Sequence, residues 1–272
     1  MLVAVAVQAD AAPALQQSAE TVTPELDRAR ADRGRPAGCP IRGPVDGPLT
    51  CVHGNPDGAP TVVVYGDSKA MQHFPALDAI AQRRNWRLVV ISRAGCPPMV
   101  VHYAYRCDRW RERALRRIAR LDPALIVTSS SVAYQVIARG KRLSRPASRP
   151  ILRRAWIRTL RRIRGEDRRV AVLVNPPRAP ADPPSCVRDN MASLARCAFQ
   201  RGSAPYRNYV VRGARRAGVA RVDINQIACP GRICPAVIGD VLVYRDRVHL
   251  TATYVRTLTD WIDARLPEPR AG

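Results

Sequence analysis

Two short stretches, far apart in the chain, hold residue types that together activate a hydroxyl. Ser68 closes Gly66-Asp67-Ser68, and Asp246 and His249 stand three apart in Asp246-Arg247-Val248-His249. A serine hydroxyl is a poor nucleophile at neutral pH and needs an adjacent base; an imidazole base in turn needs a carboxylate to hold its tautomer. A D-x-x-H turn puts both side chains on one side of a short loop, so His249 reads as the base and Asp246 as its orienter. None of the other histidines, His53, His73 and His102, combines a carboxylate at such a spacing with a place at a helix start. Ser68 lies between an apolar run and a helical pattern, where N–H groups and the helix dipole favour developing negative charge. Its own peptide N–H is a candidate oxyanion donor. Taken singly, each stretch also reads as a helix cap. Taken together, they read as an activated serine for acyl transfer or ester cleavage.

The elements that must position these residues are legible from about residue 61. Short β-branched runs at 61–65, 87–92, 124–129, 170–174 and 220–224 are expected strands. Helical patterns lie near 70–84, 108–121, 151–165, 206–217 and 251–266. Continuously apolar strands separated by helices call for a parallel sheet covered on both faces. Right-handed crossovers then give an α/β fold with a doubly wound, mostly parallel five-stranded sheet, flavodoxin-like in order. Ligands of such sheets sit beyond the carboxyl ends of the strands, which is where Ser68 falls, and the loop before the last helix must return His249 to the same edge. Residues 175–205 form a long connection containing proline and cysteine.

Bulk composition bounds the function class. A chain of 272 residues, 46% hydrophobic, holds one large domain with its own core. The net charge of +23 points first to nucleic acid, but lysine occurs only at Lys69 and Lys141, and an arginine bias of that kind also follows from a GC-rich genome. The dense runs at 109–120 and 153–169 carry apolar stripes at helical spacing (Leu115, Ile118, Leu121; Trp156, Leu160, Ile163), which leaves most arginines on solvated faces. No specific nucleic-acid partner is expected. Eight cysteines fall in four local pairs, Cys39/Cys51, Cys96/Cys107, Cys186/Cys197 and Cys229/Cys234. An even count in close pairs reads as disulfides pinning loops, and so as an extracytoplasmic compartment. Nearest-neighbour pairing is one choice among the possible connectivities, with zinc ligation and buried thiols as its rivals. The chemistry calls for no metal and no cofactor. Residues 1–37 read as a membrane-proximal stub or linker: Leu2-Val3-Ala4-Val5-Ala6-Val7 is apolar but too short to span a bilayer, and Ala9-Asp10-Ala11 weakly resembles a signal-peptidase site. The working domain is expected over 38–268.

The combination of Val62-Val63-Val64-Tyr65-Gly66-Asp67-Ser68, Ser92-Arg93-Ala94-Gly95-Cys96-Pro97, Cys107 with Trp110, and the stretch Tyr244 to Thr251 resembles the SGNH domain of acyltransferase 3 proteins. The resemblance covers roughly 37–266. It implies an SGNH-hydrolase fold, nucleophile Ser68, base His249 and acid partner Asp246. It also implies an extracytoplasmic, membrane-associated or secreted O-acyltransferase that moves an acyl group, often acetyl, to a cell-surface glycan hydroxyl. The transmembrane half of such proteins is not in this chain, so the acyl donor is expected from a membrane acyltransferase. SGNH enzymes place a Gly and an Asn in the oxyanion hole. Gly95 fits the first. The Asn has no clear counterpart, leaving Ser130 of Ser129-Ser130-Ser131, and more weakly Asn175, to donate instead. Lys69 stands where the family usually has His, and is expected to point to solvent. Two alternatives remain: an esterase using the same residues with water as acceptor, and a catalytically inactive module binding an anionic envelope polymer.

Overall fold

The computed structural model describes residues 18–36, 38–39, 51–166, 168–202 and 208–270. The apolar run near Met1 lies outside the described residues. The strands of the central sheet are β1 (Val52–Gly54), β2 (Thr61–Gly66), β3 (Arg87–Ser92), β4 (Leu125–Ser129), β5 (Arg169–Val174) and β6 (Ala220–Asp223). Their order is β1-β3-β2-β4-β5-β6. The last five are parallel, and each matches an expected strand to within one residue at either end. Counted among themselves, they follow the flavodoxin-like order. The expectation of five strands is corrected by β1, an antiparallel edge strand paired with β3. Three residues with no burial pattern, followed by the turn-forming Asn55-Pro56-Asp57-Gly58, carry no strand signal of their own.

Alternation along the strands splits the core into two layers. Val63, Tyr65, Val89 and Ile91 face one side, where α3 (Tyr105–Leu121), α4 (Arg145–Arg164) and α6 (Tyr209–Ala217) cover the sheet. Val62, Val64, Leu88 and Val90 face the other, under α2 (Phe74–Arg83), α8 (Ala252–Thr257) and α9 (Thr259–Asp263). Between β2 and β4 the chain reverses its direction of travel across the sheet, so the crevice at their carboxyl ends is the switch point of the fold.

Three helical expectations change. The first helix is split: α1 is a single turn, Ser68–Met71, and α2 begins after His73. The last is likewise split at Leu258. The helix expected from 151 begins at Arg145, because Ser144 caps it through Ala147 N–H and a proline occupies its first turn, where a missing N–H costs nothing. The long connection after β5 holds a further helix, α5 (Pro183–Asp189), capped by Asp182. α7 (Asn225–Ala228) follows β6.

Disulfides join Cys39–Cys51, Cys96–Cys107, Cys186–Cys197 and Cys229–Cys234. Residues 18–36 fall within the stretch read as a linker, yet they pack on the domain. Val22 and Ala29 share a buried cluster with Val187, Leu194, Val237 and Leu242. Asp32 accepts from the backbone of Ala252 and, through its side chain, from that of Thr253 at the start of α8.

Candidate active site

Gly66 ends β2 at φ +154°, and a Cβ there would lie 2.6 Å from both the Ser129 carbonyl and the Ala70 Cβ. Only glycine lets the strand turn this tightly against β4, and the turn sets the place of the next two residues. Asp67 then acts inward. Fully buried, its carboxylate accepts from Lys69 N–H (2.8 Å), Ser131 N–H (2.8 Å) and the Tyr134 hydroxyl (2.6 Å). Burial raises its carboxyl above the usual range, and those donors oppose the rise. Asp67 thereby fastens the serine turn to the loop after β4. Ser68 opens α1, a helix of only four residues. A macrodipole sums over aligned peptides, so one turn supplies little of it; individual N–H groups must supply the electrostatics expected here.

The second half of the site is a closed loop. Tyr244 and Leu250 form an antiparallel bridge, and Arg245 N–H donates to His249 O (3.0 Å). Inside that loop Asp246 accepts from the backbone N–H groups of Val248 and His249, both at 2.8 Å. Outside it, Leu250 N–H donates to the Gln72 side chain (3.1 Å), and Ala179 exchanges two hydrogen bonds with Arg247. The loop is held on both flanks.

The two halves meet. His249 Nε2 lies 3.0 Å from Ser68 Oγ, and His249 Nδ1 lies 2.9 Å from Asp246 Oδ2. An ionised carboxylate only accepts, so Nδ1 carries the proton and Nε2 presents its lone pair to the serine hydroxyl. Burial would raise the Asp246 carboxyl. The His249 ring, the Val248 N–H and the Arg245 guanidinium at 3.1 Å outweigh it and hold the carboxyl well below the usual range. His249 is pushed down, first by burial and then by the Lys69 charge, against the pull of Asp246. The ring is therefore neutral, and a base, at neutral pH.

Lys69 corrects its expectation. Instead of pointing to solvent, its ammonium donates to the carbonyl of Val248, the residue before His249. Burial pushes it down to about 8, opposed by Asp67 and Asp246. Lys69 ties the serine turn directly to the histidine loop.

The oxyanion candidates separate. Gly95 is exposed, at φ +78°, with nothing within 4 Å of where a Cβ would be, three residues past the end of β3. Its loop is held by Cys96–Cys107, by Tyr65 OH donating to Pro98 O (2.6 Å), and by the buried Arg111 donating to Pro97 O (3.0 Å) and Val101 O. Arg111 is thus an exception to the solvated arginine face of α3. Ser130 is buried and its one hydroxyl proton goes to Ser131 O (3.1 Å), with Tyr209 OH at 3.4 Å. Asn175 spends its amide on Ser129 Oγ (2.6 Å) and Lys69 O (3.3 Å), and accepts from His73 Nε2 (2.7 Å). The geometry commits both side chains to bracing the floor of the site, and gives neither an open donor.

Sequence reasoning passed over Gln72, Tyr134 and Ser129, which brace the site from below. Gln72 carried a signal, since it lies one helical turn after Ser68. Tyr134 and Ser129 had none, because their partners are set by how β4 packs beside β2.

A family model described as the SGNH domain fused to AT3 domains matches residues 38–264. The chain belongs to this SGNH domain family. The periplasmic domain of a lipopolysaccharide acetyltransferase from Salmonella ser. Paratyphi A is similar at a TM-score of 0.63 and 15% identity, over 76% of this chain and 84% of that one. TesA is similar at a TM-score of 0.41 and 16% identity, over 76% of this chain and 98% of that one. No match is found among curated protein sequences. At such identities the first likeness establishes the SGNH fold, and activity must be argued from the residues.

Proposed function

We propose that this SGNH domain is a serine-dependent O-acyltransferase, moving an acyl group, in the first instance acetyl, to a hydroxyl of a cell-surface glycan. The observation that carries the reading is the unbroken chain from Ser68 Oγ to His249 Nε2 (3.0 Å) and from His249 Nδ1 to Asp246 (2.9 Å) at the switch point of the sheet. His249 takes the hydroxyl proton as Ser68 Oγ attacks the acyl carbonyl. The tetrahedral oxyanion is held by the backbone N–H groups of Ser68 and Gly95. Collapse breaks the bond to the donor oxygen, and His249 returns the proton to that leaving group. The acceptor hydroxyl then gives its proton to His249 and attacks the acyl-serine, which regenerates Ser68. The four disulfides support an oxidising, extracytoplasmic setting. Among the described residues no helix is long and apolar enough to cross a membrane; delivery of the acyl donor is assigned to a membrane acyltransferase.

The test is labelling by a fluorophosphonate probe followed by peptide mapping. Adduct on Ser68, absent from Ser68→Ala and suppressed in His249→Ala, is the expected result. Labelling elsewhere, or none in a folded protein, overturns the reading. Transfer from an acetyl donor to a glycan, followed by mass spectrometry against water as competing acceptor, separates transferase from esterase.

A further inference from the structure

A cavity of about 220 Å³ opens between α4 and α6, lined by Arg149, Pro150, Arg153, Tyr209 and Arg212. Arg149 and Arg153 are one helical turn apart on α4, and Tyr209 and Arg212 one turn apart on α6, so each helix presents one face to the gap. The helices are locked just below it: Trp156 Nε1 donates to Val210 O (3.2 Å), and a Cβ on Gly213 would strike Trp156 Cδ1 at 2.4 Å. That contact fixes the two helix faces, and with them the backbone positions of the three arginines that line the cavity. Like charges at this spacing repel, and among the described residues none of the three has an acidic partner. One lining residue, Tyr209, is linked by hydrogen bonds to the site already described. Tyr209 OH donates to Ser131 O, and the same Ser131 donates its N–H to Asp67, the neighbour of Ser68.

We propose that this cavity docks an oxyanion of the glycan acceptor, a phosphate or a carboxylate, so that the acceptor class is an acidic glycan. Guanidinium forks match both groups in geometry and charge. The volume falls below the roughly 300–1,000 Å³ of sites that enclose a whole small ligand, which fits one charged group with the rest of the chain running towards Ser68. The acceptor role rests on the acyl-transfer reading; the anion site itself does not.

The experiment uses the Ser68→Ala protein, in which binding is read without turnover. Maltohexaose, maltohexaose carrying one phosphate, and a hexamer of galacturonic acid are titrated calorimetrically at physiological salt. At least one charged probe should bind about tenfold or more tighter than neutral maltohexaose, about 1.4 kcal/mol, and which of the two does so assigns phosphate or carboxylate. The triple variant R149A/R153A/R212A should lose that preference. R154A/R158A/R215A removes the same charge from the same helices outside the cavity, and should keep it. Arg153→Gln alone should weaken the charged probe severalfold, which serves if the triple variant melts early. Equal binding of charged and neutral probes, equal losses in the two triple variants, or a parallel loss of duplex DNA binding would each overturn the site. Anion binding without acyl transfer would refute the mechanism and keep the site. Transfer to neutral glycans with no anion binding would do the reverse.

Discussion

Lys69 is placed to act on His249 twice, by position and by charge. Its bond to Val248 O holds the histidine loop, and its charge helps keep His249 below its ordinary value. His249 works as a base only when neutral. With its value lowered, the acid limb of kcat/KM for an acetyl ester should lie below about pH 6.5. Lys69→Met removes a positive neighbour, which favours the imidazolium, so the limb should move to higher pH. Lys69→Arg keeps the charge and should bring it back. A pH–rate series on the three proteins checks this, and an unmoved limb in the Met variant would show that Lys69 only anchors the loop. At the same scale, Ser68→Ala and His249→Ala should each remove on the order of 10⁶-fold in kcat, and Asp246→Ala roughly 10⁴-fold. Asp246 only orients and stabilises the ring, and the backbone bonds around it keep the loop's path. Single-turnover rates of folded variants measure the difference.

At the scale of elements, the site depends on turns and loops that the sheet cannot hold alone. The loop carrying Gly95 is closed by Cys96–Cys107 and by Arg111, whose buried guanidinium satisfies the Pro97 and Val101 carbonyls. Replacing both cysteines by alanine frees an eleven-residue separation in the unfolded chain and should cost about 2–3 kcal/mol. It should also lower kcat with little change in labelling at Ser68, because the serine turn is held separately by Asp67. Urea titration and burst kinetics would read the two effects; unchanged kcat would remove Gly95 from the oxyanion hole. The contact between α4 and α6 gives a cleaner packing case. Gly213→Ala improves helix propensity by up to about 1 kcal/mol, but the added methyl meets the rigid, fully buried Trp156. Overpacking of this kind costs about 1–3 kcal/mol, so the clash wins and the denaturation midpoint should fall. A rise would mean that the Trp156 ring yields.

For the whole molecule, the net charge of +23 comes with many arginines on the exposed sides of amphipathic helices. α3 shows the pattern: Arg109, Arg116 and Arg120 are exposed while Leu115 and Ile118 are buried. Binding to duplex DNA should therefore be sequence-independent and should collapse as salt rises through the physiological range. Filter binding across a salt series with two unrelated duplexes tests this; selectivity that survives physiological salt would move the function to another class. Intact-mass measurement on the protein isolated without reductant should show eight hydrogens fewer than the reduced chain, since all eight cysteines are paired.

The parallel core and its order were legible in the chain because buried strands leave continuous apolar runs and right-handed crossovers permit few arrangements. Ser68, Asp246 and His249 could be picked out as a group because activating a hydroxyl admits few residue types and each sat beside a recognisable element start; the structure brings them within hydrogen-bonding reach of one another. What those residues touch was not. Edge strand β1 is three residues long, and its pairing with β3 is a long-range contact that leaves no local period. The breaks in the first and last helices, the inward turn of Lys69, the burial of Arg111 and the commitment of Ser130 and Asn175 all depend on which loops meet at the switch point. Local sequence determines propensity and face. The partner across 179 residues, as between Lys69 and Val248, is decided only when the sheet closes and buried polar groups must find one another, because an unpaired group there costs more than the contact gains.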